Sequence, residues 1–232
     1  MHSSIGKSTP AQRPPIAVII DRTYPLSVVR SLKKQGAGLL EIRFDLFSQP
    51  FEAVCDYART VRKASGLPLL GTIRETRANR AARLEQFCAI MPLVDAVDIE
   101  IDAAIRNRVI ALARGKTVIV SEHDFKATPT DRRLAAIAQE AKRAGADIVK
   151  IAAHAKSRAD VVRMLLFCAR SPMPIVGISM GPHGTISRVA APLFGSLFTY
   201  AFIGTLVAPG QLPLKKLAEE LNLYYPKPGL PG

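Results

Sequence analysis

A lysine and a histidine, each at the end of an apolar run, are the residues of this sequence best suited to chemistry. Lys150 closes the run Asp147-Ile-Val-Lys, and His123 follows Val118-Ile-Val-Ser-Glu. A buried lysine is uncommon, and its neutral amine can attack a ketone. A histidine ring takes up and releases protons near neutral pH. The pair favours Schiff-base chemistry with a proton shuttle, whereas a lysine reaching solvent and a packed imidazole are the alternative interpretations.

Charged and apolar residues alternate in the segment 39–45. Successive side chains of a strand point to opposite faces, so Glu41, Arg43 and Asp45 share one face. The pattern recurs in three further pairs: Thr72 with Arg74, Asp98 with Glu100, and Ser121 with His123. Because a buried charge without a partner is costly, charges on the inner side of several strands favour one convergent polar site. An internal ion-pair network, for example Glu41 with Arg43 or Arg74, is the alternative.

Short apolar runs alternate with amphipathic stretches along the whole chain. Strands are expected at 16–20, 39–44, 69–73, 96–101, 117–121, 147–151, 175–179 and 198–203. Helices are expected near 26–36, 51–64, 78–91, 103–113, 130–144, 157–170, 187–193 and 214–222. Eight alternations predict an α/β fold, a single (β/α)8 TIM barrel, with a doubly wound open sheet as the alternative. Sites in such barrels lie at the carboxyl ends of the strands, where Lys150 and His123 fall.

Composition argues against several other classes of protein. The net charge is +13, but the basic residues are scattered over the expected helices, so we expect no nucleic-acid partner. Cys55, Cys88 and Cys168 are widely spaced and form no metal-binding motif, so no metal is expected. The uncharged segment 189–214 is interrupted by prolines and glycines, which predicts a helix, a strand and a loop rather than a membrane span.

The expected organisation is one barrel between two tails. Residues 1–14 are polar and contain proline, and they lack the apolar core of a signal peptide, so we expect a flexible tail there. The barrel is expected over residues 15–221, and residues 222–232 are expected to form a C-terminal tail. Since the cysteines suggest no disulfide framework, the expected location is the cytoplasm.

Six motifs, in order and with similar spacing, resemble those of type I 3-dehydroquinate dehydratases. They are EIRFD at 41–45, TIR at 72–74, SEHDF at 121–125, DIVKIA at 147–152, ISRVAAPLFGS at 186–196 and APGQ at 208–211. The resemblance covers residues 15–221 and implies a homodimeric (β/α)8 barrel without metal or organic cofactor. It also implies a small-molecule substrate, 3-dehydroquinate, which is dehydrated to 3-dehydroshikimate in the shikimate pathway of aromatic amino acid biosynthesis.

The resemblance also implies roles for individual residues. Lys150 would form an imine with the substrate ketone, and His123 would take the proton from the adjacent carbon and then protonate the departing hydroxyl. Arg188 would hold the substrate carboxylate. The remaining substrate-binding residues implied in this way are Glu41, Arg43, Arg74, Gln211, Met180, Tyr200 and Ala208. The segment 208–211 would be a loop that closes over the site.

The chain departs from the family pattern beside the proposed histidine. Many members carry Glu-Gly-Gly where this chain has Ala78-Asn79-Arg80, so a carboxylate that assists the histidine is missing. Glu75 and Glu122 are the candidate substitutes, the latter at a position that is often tyrosine. An aldolase-like Schiff-base enzyme and a non-catalytic ligand-binding homologue are the alternative functions.

Overall fold

A computed structural model describes residues 13–205 and 209–225 of the chain. Its strands are β1 (Ile16–Ile20), β2 (Ala37–Arg43), β3 (Leu69–Thr72), β4 (Ala96–Glu100), β5 (Thr117–Asp124), β6 (Ile148–His154), β7 (Ile175–Met180), β8 (Thr199–Phe202) and the short β9 (Leu212–Pro213). All pairings between them are parallel, in the order β7-β6-β5-β4-β3-β2-β1-β8-β9.

The curled sheet closes between β7 and the segment that leads into β8. Ile175 forms a parallel bridge with Ser196, and its carbonyl accepts a hydrogen bond from the Leu197 amide at 2.9 Å. The Ser196 hydroxyl also accepts a hydrogen bond from the Gly177 amide at 3.1 Å. The prediction of a (β/α)8 barrel is therefore confirmed, and the alternative of an open doubly wound sheet is wrong.

The helices alternate with the strands and cover the outside of the barrel. They are α1 (Leu26–Ser31), α2 (Phe51–Ser65), α3 (Arg83–Ile90), α4 (Arg106–Leu112), α5 (Asp131–Ala144), α6 (Arg158–Arg170), α7 (Ser187–Ala190) and α8 (Leu214–Tyr224). Thr130 caps α5 by accepting from the Arg133 amide at 3.3 Å, and Gly145 ends it in the left-handed conformation at φ 92°. Short 3₁₀ turns extend α7 on both sides.

The third helix is shorter than the helix that the sequence pattern predicts. We expected it near 78–91, but α3 begins at Arg83. Asn79 accounts for the difference, because its side-chain oxygen accepts from the Thr76 amide at 2.8 Å while its amide donates to the Thr76 hydroxyl at 3.2 Å. Such side-chain bonds favour a turn over a helix. The segment between β3 and α3 is therefore a loop beside the carboxyl ends of the strands.

Apolar side chains form two layers, as the alternation along the strands predicts. Leu40, Ile42 and Phe44 belong to the outer cluster that packs on the helices. A second cluster fills the barrel interior and includes Leu39, Ile119 and Tyr200. Strands buried on both faces are typical of parallel sheets covered by helices.

The last helix of the described chain extends three residues past position 221, the expected barrel boundary. The helix α8 continues to Tyr224, and Tyr225 is buried with its hydroxyl donating to the Val189 carbonyl at 2.7 Å. The uncharged segment 189–214 contains the end of α7, a 3₁₀ turn and β8. Within the described ranges, no helix has the length and apolar character needed to cross a membrane.

Candidate active site

The residues that the sequence placed on the inner faces of the strands meet in one cavity at the carboxyl ends. This cavity has a volume of about 280 Å³. Its lining includes nine of the ten expected site residues: Glu41, Arg43, Arg74, His123, Lys150, Met180, Arg188, Tyr200 and Gln211. The tenth, Ala208, lies outside the described residues.

Lys150 occupies the middle of β6, and its side chain is 6% exposed. The Nζ atom donates to Asp98 Oδ2 at 2.9 Å and lies 3.9 Å from Glu41 Oε1. It also lies 4.6 Å from the centre of the Tyr200 ring, a distance at which a cation is attracted by the ring face. The interpretation of Lys150 as a side chain that reaches solvent from the strand end is therefore wrong.

Asp98 is the residue that joins the polar groups of the cavity. It is fully buried on β4, and its Oδ1 atom accepts from the Ser121 hydroxyl at 2.6 Å and lies 2.9 Å from Arg74 Nη2. Burial acts to raise the pKa of the Asp98 carboxyl, but Arg74, Lys150 and His123 outweigh it and hold this pKa well below its usual range. Asp98 is therefore a fixed negative charge beside the lysine amine.

Arg43, at the end of β2, and Arg74, two residues after β3, already have carboxylate partners. Arg43 is bidentate to Asp45, with distances of 3.0 and 2.6 Å, so the suggested pair of Glu41 with Arg43 is not formed. Glu41 instead accepts from the Thr72 hydroxyl at 2.5 Å. An internal ion-pair network thus exists, and it forms the wall of the cavity rather than replacing the site.

His123 lies within β5, at the same end of the barrel, and is half-buried. Its ring stacks on Phe125 at 6.3 Å between centroids with an angle of 19° between planes. Burial, followed by the charges of Arg74 and Lys150, holds the pKa of His123 well below its usual value of 6.5. The ring is therefore neutral at neutral pH and is able to accept a proton.

Both candidates for the missing carboxylate, Glu122 and Glu75, lie beside arginines. Glu122 precedes His123 on the strand and lies 3.9 Å from Arg133 of α5. Glu75 accepts from Arg80 Nε at 2.7 Å and lies 3.6 Å from Arg83 Nη1. Glu100 lines the cavity together with His123, as Glu41 does. It forms ion pairs with Arg74, at 3.4 Å, and with Arg83.

Arg188 differs from the other arginines of the cavity because no carboxylate in the described parts of the chain forms an ion pair with it. The side chain is buried at 2% exposure, and its Nε atom has no hydrogen-bond partner. Burial lowers the pKa of Arg188 to about 10, so the group remains charged at neutral pH. A buried cation without a counterion is costly, which points to an anionic ligand.

Tyr200 places a second incompletely satisfied polar group in the cavity. Its hydroxyl is buried near Glu41 and has no well-aligned hydrogen bond within the described ranges. Burial, with the charges of Glu41 and Asp98, raises the pKa of this phenol well above 10.0. The hydroxyl therefore remains protonated and can donate to a ligand.

Sequence reasoning left several contributors to the site out of the expected set, among them Asp98, Ile19 and Phe125. Asp98 was identified only as one of the inward-facing polar residues, because its contacts join strands that are not neighbours in sequence. Ile19 and Phe125 add apolar surface to the cavity. The only signal for them in the sequence was their place at or near strand ends. Within the described residues, no group of three or more His, Cys, Asp or Glu could hold a metal ion.

Comparison with known proteins gives a consistent result. The family model of type I 3-dehydroquinase matches residues 19–228. A 3-dehydroquinate dehydratase from Methanosarcina barkeri is 38% identical over 227 residues, covering 90% of this chain and 93% of its own length.

Solved structures agree with this match. The 3-dehydroquinate dehydratase from Aquifex aeolicus is 33% identical, with a TM-score of 0.80, covering 91% of this chain and 99% of its own. The type I enzyme from Clostridium difficile, in a crystal structure described as containing covalently modified comenic acid, is 27% identical with a TM-score of 0.83. That alignment covers 97% of this chain and 96% of the Clostridium difficile chain.

Proposed function

The chain belongs to the type I 3-dehydroquinase family, and we propose that it dehydrates 3-dehydroquinate through an imine formed at Lys150. It is a 3-dehydroquinate dehydratase, a carbon–oxygen lyase. The observation that carries the proposed mechanism is the position of Lys150 Nζ, which borders the cavity and lies 2.9 Å from Asp98.

In the first step the Lys150 ammonium releases a proton, and the free amine attacks the substrate ketone; that proton is returned to the hydroxyl that leaves as water. Loss of water from the resulting carbinolamine gives an iminium ion, which withdraws electrons from the adjacent carbon. Because the iminium is positively charged, Asp98 at 2.9 Å and Glu41 at 3.9 Å stabilise it through their fixed negative charges. The two carboxylates thus serve the lysine cation and the iminium that replaces it.

His123 carries the proton in the second step. The neutral ring removes a proton from the carbon beside the iminium, and the electron pair of that C–H bond forms an enamine. The protonated ring then donates the same proton to the departing hydroxyl, which leaves as water as the new carbon–carbon double bond forms. Hydrolysis of the imine consumes one water, releases the product and restores the Lys150 amine.

The remaining residues of the cavity position the substrate. Arg188 pairs with the substrate carboxylate, because it is the buried arginine without a carboxylate of its own in the described chain. Tyr200 and Gln211 hold substrate hydroxyls, and Met180 packs against the carbon ring. Arg43 and Arg74 act mainly through the acidic residues that they hold.

The proposal also covers the pathway, the cellular location and the oligomeric state of the enzyme. Its reaction belongs to the shikimate pathway, and its free cysteines Cys55, Cys88 and Cys168 suit the reducing cytoplasm. The homodimer implied by the sequence resemblance predicts a particle of twice the 25.1 kDa chain mass. Light scattering after size-exclusion chromatography measures that mass.

A turnover assay tests the proposed mechanism. The purified chain is given 3-dehydroquinate, and the conjugated enone product is followed by ultraviolet absorbance. We expect wild-type turnover, retention of turnover in the surface control Cys88→Ser, and loss of turnover in Lys150→Met, with folding of each variant checked by circular dichroism. Ligand binding without turnover would support the non-catalytic alternative. Turnover of a sugar phosphate instead would support the aldolase alternative.

A further inference from the structure

A second cavity lies beside the first, with His123 and Glu100 in the wall between them. Its volume is about 460 Å³. His123 and Glu100 line both cavities, and the remaining lining residues of the two differ. The other residues around the second cavity are Glu75, Arg83, Asp102, Ala103, Ala104, Ser121 and Glu122. His123 thus faces two separate spaces.

The second cavity is polar and opens to solvent at a different place from the first. Glu75, Asp102 and Ala104 are exposed and form its outer rim, whereas Arg83 and Ser121 are buried at its inner end. By contrast, Phe125, Arg188 and Gln211 line only the first cavity. Apart from His123 and Glu100, the residues around a ligand in the first cavity are therefore not those that line the second.

The size and polar lining of the second cavity favour water inside it. Its volume of about 460 Å³ is far more than one water needs, and Glu75, Glu100, Asp102 and Glu122 supply carboxylates as hydrogen-bond partners. Arg83 is held by the protein itself: its Nε and Nη2 atoms donate to the Ile73 carbonyl, Nη2 also pairs with Glu100, and Nη1 lies 3.6 Å from Glu75 Oε2.

We propose that the second cavity is a water-filled route through which His123 exchanges its proton with bulk solvent while substrate occupies the first cavity. The inference rests on the proposed function, in which His123 carries the proton. In this exchange the protonated ring donates its proton to a cavity water, hydrogen-bonded waters pass an equivalent proton to solvent, and the reverse transfer restores the ring. No group is oxidised or reduced.

Two acidic residues favour proton transfer through this cavity over a cavity that only holds water. Glu122 lines the cavity together with His123, and Asp102 lies at its rim. Burial raises the pKa of the Glu122 carboxyl, which makes it a better proton acceptor than an exposed glutamate. The route would let His123 reach the neutral state that accepts a proton even when substrate binds to the protonated enzyme.

Nuclear magnetic resonance of the ring nitrogens tests the route directly. The chain has only four histidines, so ring ¹⁵N labelling gives few signals. Borohydride reduction of the imine at Lys150 leaves a ligand in the first cavity, and the exchange of the His123 ring N–H with water is then measured.

Two variants at the rim test whether the second cavity carries the exchange. Ala104→Phe is designed to fill the rim of the second cavity, and Ala104→Ser is the matched control. We expect exchange about tenfold slower in Ala104→Phe than in wild type or Ala104→Ser, because the larger side chain displaces water. Equal exchange rates in all three proteins would overturn the proposal.

A crystal structure of the ligand-free enzyme separates this inference from the proposed function. Ordered waters in the second cavity that reach His123 would support the route, even if no adduct forms at Lys150 and the proposed mechanism fails. A dry second cavity would overturn the route, even if Lys150 is trapped and the proposed mechanism stands. If Ala104→Phe does not fold, the crystal structure still tests whether waters connect His123 to solvent through the second cavity.

Discussion

The Lys150 amine and the Asp98 carboxylate form a buried ion pair at 2.9 Å, on strands separated by β5. Asp98 also contacts Arg74 at 2.9 Å, so one carboxylate lies between two cations. A buried pair of this kind adds little net stability compared with apolar packing. In the proposed mechanism, the pair instead places the negative charge of Asp98 beside the position of the positively charged iminium.

Asp98→Asn should damage both stability and turnover. The amide has nearly the same size, but it leaves Lys150 and Arg74 close together without the charge between them. Since breaking a buried ion pair typically costs about 3–5 kcal/mol, we expect a loss of this order in urea unfolding at pH 7. The catalytic constant kcat should fall about 100-fold or more, the usual effect of removing a preorganised electrostatic partner.

The pH dependence of the unfolding free energy tests whether the charge of Asp98 causes this loss of stability. Because the pKa of Asp98 is depressed in the folded state, its stabilising effect is complete above the unfolded pKa of about 4 and is lost as the pH falls toward the folded value. The difference in unfolding free energy between wild type and Asp98→Asn should therefore narrow below about pH 4. A difference that is constant from pH 7 to pH 3 would mean that the Asp98 charge is not the source.

His123→Gln should stop proton transfer without preventing imine formation. We expect kcat to fall by a factor of about 10² to 10⁴, the usual contribution of a general acid–base group. In the ligand-free wild type, the lowered pKa of His123 keeps the ring neutral at pH 6.5. The ratio kcat/KM, which reports the free enzyme, should therefore stay constant as the pH falls to 6.5 and decline only at lower pH. Measurement of kcat/KM from pH 5 to pH 8 checks this. A half-maximal kcat/KM at pH 6.5 or above would contradict it.

Arg188→Leu should have opposite effects on stability and substrate binding. The folded pKa of about 10 lies below the ordinary value of 12.5, so the protonated group costs the folded state free energy at neutral pH. Removing it should therefore raise the unfolding free energy of the ligand-free protein by about 1–3 kcal/mol. The Michaelis constant KM should rise about 10- to 100-fold, because a charge-assisted hydrogen bond to the substrate is lost.

Arg188→Lys is the matched control, since it keeps the charge but removes the planar pair of donors. Its KM should rise, whereas its unfolding free energy should not increase as it does in Arg188→Leu. A loss of stability in Arg188→Leu with an unchanged KM would show that Arg188 serves the fold and not the ligand.

Much of the fold and of the site follows from local rules. The alternation of charged and apolar residues in 39–45 placed Glu41 and Arg43 inside, because side chains alternate along any strand. The same rule placed His123 and Lys150 in the barrel. Eight alternating runs fixed the class of fold, because parallel strands need helical crossovers.

The parts that sequence reasoning missed depend on geometry between distant strands. Asp98 touches Lys150, 52 residues away, and the register that brings them together is not encoded in either segment alone. Similarly, Glu122 is next to His123 in the sequence, but the charged group nearest its carboxylate is Arg133 of α5, at 3.9 Å. The turn at Asn79 replaced an expected helical start, because local side-chain hydrogen bonds prevailed over the helical pattern.

Borohydride trapping is the most direct test of the imine at Lys150. The enzyme is incubated with 3-dehydroquinate, reduced with borohydride, digested and mapped by mass spectrometry, with Lys150→Met treated in parallel. The mechanism predicts one ligand-sized addition on the peptide containing Lys150, product formation before reduction, and no addition in the variant. Product formation without any addition at Lys150, or an addition at another lysine that persists in Lys150→Met, would contradict it.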